Sequence, residues 1–194
     1  PTVEKEIIVS EDCYLDEAEQ ADGHNYNWIQ VEQNTVGNKV RGLVKYDLSS
    51  IPNAQNITAA KLYMYTDLVS SGISCPGTED SIDVYLKVED SWSESSANWN
   101  NDNGYDTGSF LDRVCTTSSN TWYEWDIVGI LGLDKPRGVY HEYYTDSGKK
   151  ISFILKINDE ESASRGYVEL SAGDNYINVT YIPNEAPVLV GCKD

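Results

Sequence analysis

An all-β sandwich is what this sequence predicts, and three observations carry the prediction. Apolar residues recur at every second position in several short runs, the period of a strand with two unlike faces. Clusters of Gly, Asn, Asp, Ser and Pro separate those runs, as turns do. The composition favours strand formers, with 14 Tyr and 5 Trp against 1 Met in 194 residues.

The elements follow in order. Glu6–Ser10 (EIIVS) predicts a first strand. Glu11–Asn27 is polar and acidic and reads as a loop, with a turn at Asp22-Gly23. Trp28–Val31 predicts a second strand. Val40–Tyr65 is the stretch around which the rest is arranged. Its first run sets Val40, Gly42, Val44, Tyr46 and Leu48 against Arg41, Leu43, Lys45 and Asp47. Ser49–Asn53 turns the chain, with Pro52 fixing φ, and the Asp47 carboxylate is placed to cap that turn by accepting backbone N–H bonds. The second run sets Ala60, Leu62 and Met64 against Lys61, Tyr63 and Tyr65. Asp67–Asp80 reads as a loop. Ser81–Val88 alternates, with Ile82, Val84, Leu86 and Val88 inward and Asp83, Tyr85 and Lys87 outward. Asp90–Gly108 predicts a long loop with a helical turn at Ser93–Asn98, and loops of that length are commonly functional. Trp122–Asp126 predicts a strand with Tyr123 and Trp125 toward the core and Trp122 outward. Ile127–Leu133 reads as one or two helical turns with Asp126 as N-cap. Ile151–Ile157, Gly166–Leu170 and Tyr176–Ile182 complete about nine strands, spaced as in a sandwich. One domain over 1–183 is expected. Residues 184–194 read as a linker opening a following immunoglobulin-like repeat, or as a terminal strand capping this domain.

Charge and cysteines bound the function class. With 32 acidic and 14 basic residues the net charge is −18, the wrong sign for nucleic acid, which needs a basic footprint. No apolar run approaches the ~20 residues that span a bilayer. No charged and apolar leader opens the chain, which reads as a mature or excised segment. Four widely spaced cysteines, 13, 75, 115 and 192, fit two disulfides in an exported protein. The pairs expected are Cys75–Cys115, at two loop positions, and Cys13–Cys192, near the two ends; buried free thiols are the alternative. The sequons Asn56-Ile-Thr58 and Asn178-Val-Thr180 agree with export.

Candidate binding residues come from the outward strand phases. These place Arg41, Lys45, Lys61, Tyr63, Tyr65, Tyr85, Lys87 and Lys156 together, with only Asp47 and Asp83 as acids. If the strands share one sheet, they form a shallow polyanion-binding face. Tyr rings stack on sugar C–H faces, and Lys or Arg bond carboxylate or sulfate. The plainer reading is that Lys and Tyr favour solvated strand positions. Trp92 and Trp99 read as an exposed sugar platform or, alternatively, Trp99 reads as a plug that packs the long loop onto the sandwich, its indole N–H satisfied by a backbone carbonyl. The strongest catalytic group is Arg137, His141, Tyr143 and Tyr144, which would suit a uronate lyase needing a base and a cation. Paired carboxylates for hydrolysis are numerous but unspecific. A third reading is an architectural surface brick.

Fragments in order resemble one family: Asn25-Tyr26 with Ile29-Gln30-Val31, Arg41–Ser49 (RGLVKYDLS), Ile51-Pro52, Ile57–Leu62, Val84-Tyr85, Trp92-Ser93-Glu94, Asn98-Trp99-Asn100, Trp125-Asp126-Ile127 and Asn178–Tyr181. Over about Ile7–Pro183 the chain resembles the disaggregatase-related (DNRLRE) domain of archaeal and bacterial surface proteins. The resemblance implies a jelly-roll carbohydrate-binding module of a larger exported, cell-surface protein. It would be monomeric as an isolated domain, work beside other domains of the same chain, and hold a uronate-containing, chondroitin-like polysaccharide such as the matrix of methanogen aggregates. Asn27 stands where the family often has Gly, and the His141/Tyr143 region has no counterpart. Jelly-roll sugar binders often hold one structural calcium near the chain ends, and Glu11, Asp12 and Asp16 are the candidate ligands. No other cofactor is expected.

Overall fold

The computed structural model describes residues 1–21, 26–33, 38–52, 56–75, 80–87, 89–104, 109–129, 139, 148–160 and 166–183. Among them are eleven strands: β1 (Val3–Ile8), β2 (Glu11–Asp16), β3 (Trp28–Gln33), β4 (Val40–Asp47), β5 (Asn56–Val69), β6 (Ile82–Lys87), β7 (Phe110–Val114), β8 (Thr121–Asp126), β9 (Lys150–Ile157), β10 (Gly166–Ser171) and β11 (Tyr176–Ile182). A 3-10 turn follows β4 at Leu48–Ser50, and one short α-helix, α1 (Trp99–Asp102), follows a turn in which the Ser93 carbonyl accepts from Ser96 and Ala97.

The described strands pair antiparallel and trace two layers. The first runs β1-β11-β5-β8. The second runs β2-β4-β9-β6-β7. β3 and β10 join them: β10 pairs with both β3 and β5, and β3 meets β4 at Glu32 and Val40. The result is the expected all-β fold, a curled antiparallel sheet consistent with a jelly-roll-like sandwich.

The period-two pattern explains what lies between the layers. Leu62 stands opposite both Ile177 and Trp125, and these join Met64, Val179, Val44, Tyr46, Val84, Phe153 and Leu155 in one core. Burying such a side chain contributes roughly 1.5–3 kcal/mol. The polar tips inside are satisfied: the Trp125 indole N–H donates to the Ile82 carbonyl at 3.1 Å, and the Tyr46 hydroxyl bonds Asn175 Oδ1. At Gly42 of β4 the Ile29 side chain of β3 packs directly over the backbone. A Cβ there would lie 2.7 Å from Ile29 Cγ2, so glycine is required by the approach of β3.

Two strands were not expected. β2 lies in the stretch read as an acidic loop, because its acids mask four consecutive buried residues, Asp12–Leu15. β7 pairs with β6 and holds Arg113 against Asp83. β5 also continues to Val69, past the expected strand end. The Asp47 carboxylate caps the turn as expected: its Oδ1 accepts from Ser49 N at 2.8 Å, and the Ser49 side chain first, then that backbone N–H, hold the carboxyl below its ordinary range. Asp126 likewise accepts from Val128 N at 3.1 Å, though most of Ile127–Leu133 lies outside the described residues. Residues 184–194 lie outside them too.

Candidate functional site

The sandwich has two outer faces, and they differ. On the second layer, the outward phase of β4 carries Arg41, Leu43 and Lys45, β9 carries Ser152, Ile154 and Lys156, and β6 carries Asp83, Tyr85 and Lys87. The segment 89–104 covers much of it. Trp92, Ala97 and Trp99 descend onto Cys13, Leu15, Leu43 and Ile154 in a second apolar cluster. The Trp92 indole N–H donates to Ser152 Oγ at 2.9 Å. Trp99 is therefore the plug expected of it, and Trp92 is a second one.

The cations of that face are used inside the protein. Lys45 is 2% exposed, bonds Glu11 at 2.8 Å and the Trp92 carbonyl, and lies 4.3 Å from the Trp92 ring centroid. Arg41 forks onto Glu160 at 2.7 and 2.9 Å, donates to the Asn103 carbonyl at 2.7 Å and stacks 4.8 Å from the Trp99 ring. Lys87 reaches Asp102 at 3.6 Å, and Lys156 reaches Glu160 at 3.4 Å. Tyr85 is half-buried, its hydroxyl donating to Asp83 at 3.2 Å. This corrects the expectation of one patch open to water. Arg41, Lys45 and Lys87 are engaged by that segment, through the carbonyls of Asn103, Trp92 and Asp102, while Lys156 turns onto Glu160 and the carbonyls of Ile157 and Asn158, so none of the four is left to meet a ligand.

Lys61, Tyr63 and Tyr65 belong to the other face, the outer side of the first layer. Register brings neighbours to them: Tyr63 stands opposite Tyr176 and Glu124, and Tyr65 opposite Trp122. Tyr63 and Tyr176 stack with centroids 4.9 Å apart and planes 15° apart. Trp122 lies 5.6 Å from Tyr176 and 5.4 Å from Tyr65. Trp122 is 47% exposed, so this is a ring surface open to water. Beside it an open groove of about 370 Å³ is lined by Glu6, Ile8, Tyr65, Trp122, Asp174 and Tyr176. Alternation puts Glu4, Glu6, Glu124 and Asp126 on the same side. Lys61 is paired with Glu124, which holds the Glu124 carboxyl below its ordinary range. Asn178 shares the face, and its Oδ1 is buried with no hydrogen-bond partner among the described residues. The other sequon asparagine, Asn56, is exposed at the start of β5.

The remaining candidates are placed as follows. Cys75 and Cys115 form the expected disulfide. The Cys13–Cys192 pair is corrected: the Cys13 thiol is free and buried, pointing from mid-β2 into the cluster beneath Trp92 and Trp99. Burial and nearby carboxylates, Asp12 first among them, push that thiol up to about 12. Cys192 lies outside the described residues. Glu11 bonds Lys45, Asp12 accepts from Gly173 N at 2.9 Å, and Asp16 accepts from Ala18 N at 2.7 Å. Among the described residues no group of three His, Cys, Asp or Glu is arranged to hold a metal ion. Arg137, His141, Tyr143 and Tyr144 lie outside the described residues. No described helix is long and apolar enough to cross a membrane.

Sequence reasoning turned Trp122 outward but did not join it to Tyr176, which is 54 residues away. Only the register of β11 and β8 on either side of β5 does that. The signal available was the outward phase of two strands, each carrying a large ring that a core would otherwise claim.

Comparison with known proteins adds three findings. The family model described as carbohydrate-binding module family 96 matches residues 3–133. No curated protein matches the chain. Two solved structures of mutants of CBM29-2, from work on ligand recognition by family 29 carbohydrate-binding modules, align at 9% identity and a TM-score of 0.27. They cover 87% of this chain and 92% and 93% of theirs, a likeness too loose to carry a fold or a ligand across.

Proposed function

The chain belongs to carbohydrate-binding module family 96, and from that premise we propose that it holds polysaccharide, without catalysis, on the outer face of β1-β11-β5-β8. One observation carries the placement: Tyr63, Tyr65, Trp122 and Tyr176 meet as an exposed ring surface beside an open groove. Pyranose rings present apolar C–H faces that pack on aromatic faces, while their hydroxyls bond carboxylates and amides at the edges. Glu6 and Asp174, which line the groove, are placed to accept such hydroxyls.

The polymer class follows from charge. The disaggregatase-related resemblance points to a chondroitin-like uronate polymer, which needs cations on the surface that meets it. Here the open face carries Lys61, already paired, among Glu4, Glu6, Glu124 and Asp126. We therefore favour a polymer without carboxylate or sulfate, such as a neutral glycan. The Cys75–Cys115 disulfide supports an exported protein, acting as one module of a larger surface assembly where repeated copies multiply weak contacts.

Affinity electrophoresis tests this. Native gels containing glucomannan, xylan, laminarin, alginate or chondroitin sulfate should show retardation by at least one of the three neutral polymers. The Trp122→Ala variant should lose about tenfold in affinity, roughly 1.4 kcal/mol, with an unchanged melting temperature. No retardation by the neutral polymers, retardation by the uronate polymers alone, or affinity indifferent to Trp122 would each sink the reading. Concentration-dependent assembly with no sugar binding would point instead to the surface brick.

A further inference from the structure

A second exposed ring stack stands apart from the first. Tyr26 and Trp28 are 50% and 37% exposed, and their rings lie 5.3 Å apart with planes 12° from parallel. Tyr14 continues the stack beneath Tyr26 at 5.9 Å. Three rings in register, two of them open to water, cost apolar hydration that a solvent-facing loop has no reason to keep. Trp28 is held in place by β3, opposite Ser171 of β10.

Beside the stack is an open cavity of about 270 Å³, reached by Tyr26 and lined also by Ser10, Asp12, Asn27, Glu94 and Gly173. Its walls are braced: Asp12 accepts from Gly173 N, and Asn27 accepts through its carbonyl from Ala172 N at 3.2 Å. A flat apolar platform next to a pocket of hydroxyl acceptors is what a pyranose requires.

The cavity and the first groove share a wall. The turn between β10 and β11 gives Ala172 and Gly173 to the cavity and Asp174 and Tyr176 to the groove. The neighbouring chain does the same, Val9 and Ser10 on one side and Ile8 on the other. From Ser171, opposite Trp28, to Tyr176 is five residues, at most about 17 Å of extended chain. A short oligosaccharide covers such a span.

We propose that the Tyr26–Trp28 stack and the cavity beside it form a second subsite for a neutral pyranose residue of the same polymer that the Trp122 face holds. The inference rests on the reading of that face. Asp12 and Glu94 accept sugar hydroxyls there and turn away a uronate by like charge. Two subsites on one strand multiply: the second contact is intramolecular once the first is made. A disaccharide engages one subsite, whereas a longer chain engages both.

The test uses the neutral polymers glucomannan, xylan and laminarin, with cellobiose, xylobiose and laminaribiose as short probes. On the polymer that retards the parent protein, Tyr26→Ala and Trp28→Ala should each weaken affinity about three- to tenfold. Affinity for the matching disaccharide at the Trp122 face, followed by titration, should be unchanged by Tyr26→Ala and lost in Trp122→Ala. If Tyr26→Ala and Trp28→Ala leave polymer affinity intact while Trp122→Ala reduces it, the second subsite is refuted and the first face stands. If Tyr26→Ala abolishes binding while Trp122→Ala does not, the first face is refuted. If none of the three polymers retards the parent, both fail. Tyr26 is a surface residue, so a circular dichroism spectrum like the parent's confirms that a loss reports contact rather than folding.

Discussion

Glu160 is a single carboxylate that answers two buried cations. Its oxygens accept from the Arg41 guanidinium at 2.7 and 2.9 Å and face Lys156 at 3.4 Å. Burial pushes the carboxyl up, but the Arg41 hydrogen bonds and the charges of Arg41 and Lys156 outweigh it, and the net shift is downward. A carboxyl whose folded value lies below its unfolded one contributes stability above the ordinary glutamate range and loses it as pH falls through the depressed value. Glu160→Gln should therefore cost about 3 kcal/mol near neutral pH, because it leaves buried cations without their counter-charge. The cost should shrink in acid, once the native carboxyl is itself protonated. Urea unfolding of both proteins at neutral and acidic pH measures this, and a penalty that does not change with pH would remove the ion pair as its source. The four buried cations also show where the residue pattern stopped being legible. Arg41, Lys45, Lys87 and Lys156 were correctly phased outward from the core. Phase alone does not say whether an outward face meets water or a loop, since Lys and Arg pair with acids in either setting.

Among the elements, the segment 89–104 decides that question. The sequence marks it twice, by Trp92 and Trp99 in a polar stretch and by the helical turn expected at Ser93–Asn98, and Trp99 points to packing. What it withheld was the target, because the cluster beneath draws on β2, β4 and β9, and β2 was masked by its own acids. Register across distant strands likewise hid the Trp122–Tyr176 contact, although each ring was visibly in an outward phase. If Trp99 holds the segment down, Trp99→Ala should cost about 3–5 kcal/mol and uncover Cys13, which is 1% exposed. The thiol makes a direct reporter. In a Cys192→Ser background, where Cys13 is the remaining thiol outside the disulfide, the parent should resist an aromatic disulfide reagent and the Trp99→Ala variant should react many times faster. Equal rates would mean that the segment stays closed without its tryptophan.

At the scale of the whole molecule, charge separates the candidate polymers. The net charge is −18, with 14 basic residues in all. Burial removes Arg41, Lys45, Lys87 and Lys156 from what a ligand meets. The acids near the proposed face stay outside, and some crowd one another: burial first, then the charge of Asp174, raises Asp67, and burial first, then Asp67, raises Glu169. A polyanion approaching this molecule is therefore repelled over a distance set by the Debye length, about 10 Å at 0.1 M salt and shorter as salt rises. A neutral glycan feels no such field. Its affinity should stay flat between low and high salt, whereas any binding of alginate or chondroitin sulfate should strengthen as salt screens the repulsion. The opposite slope, uronate binding that weakens with added salt, is the signature of cation contacts. Observing it would mean that Arg41 and the buried lysines come out to meet the polymer, and that the segment over β4, β9 and β6 is a cover that opens rather than a wall.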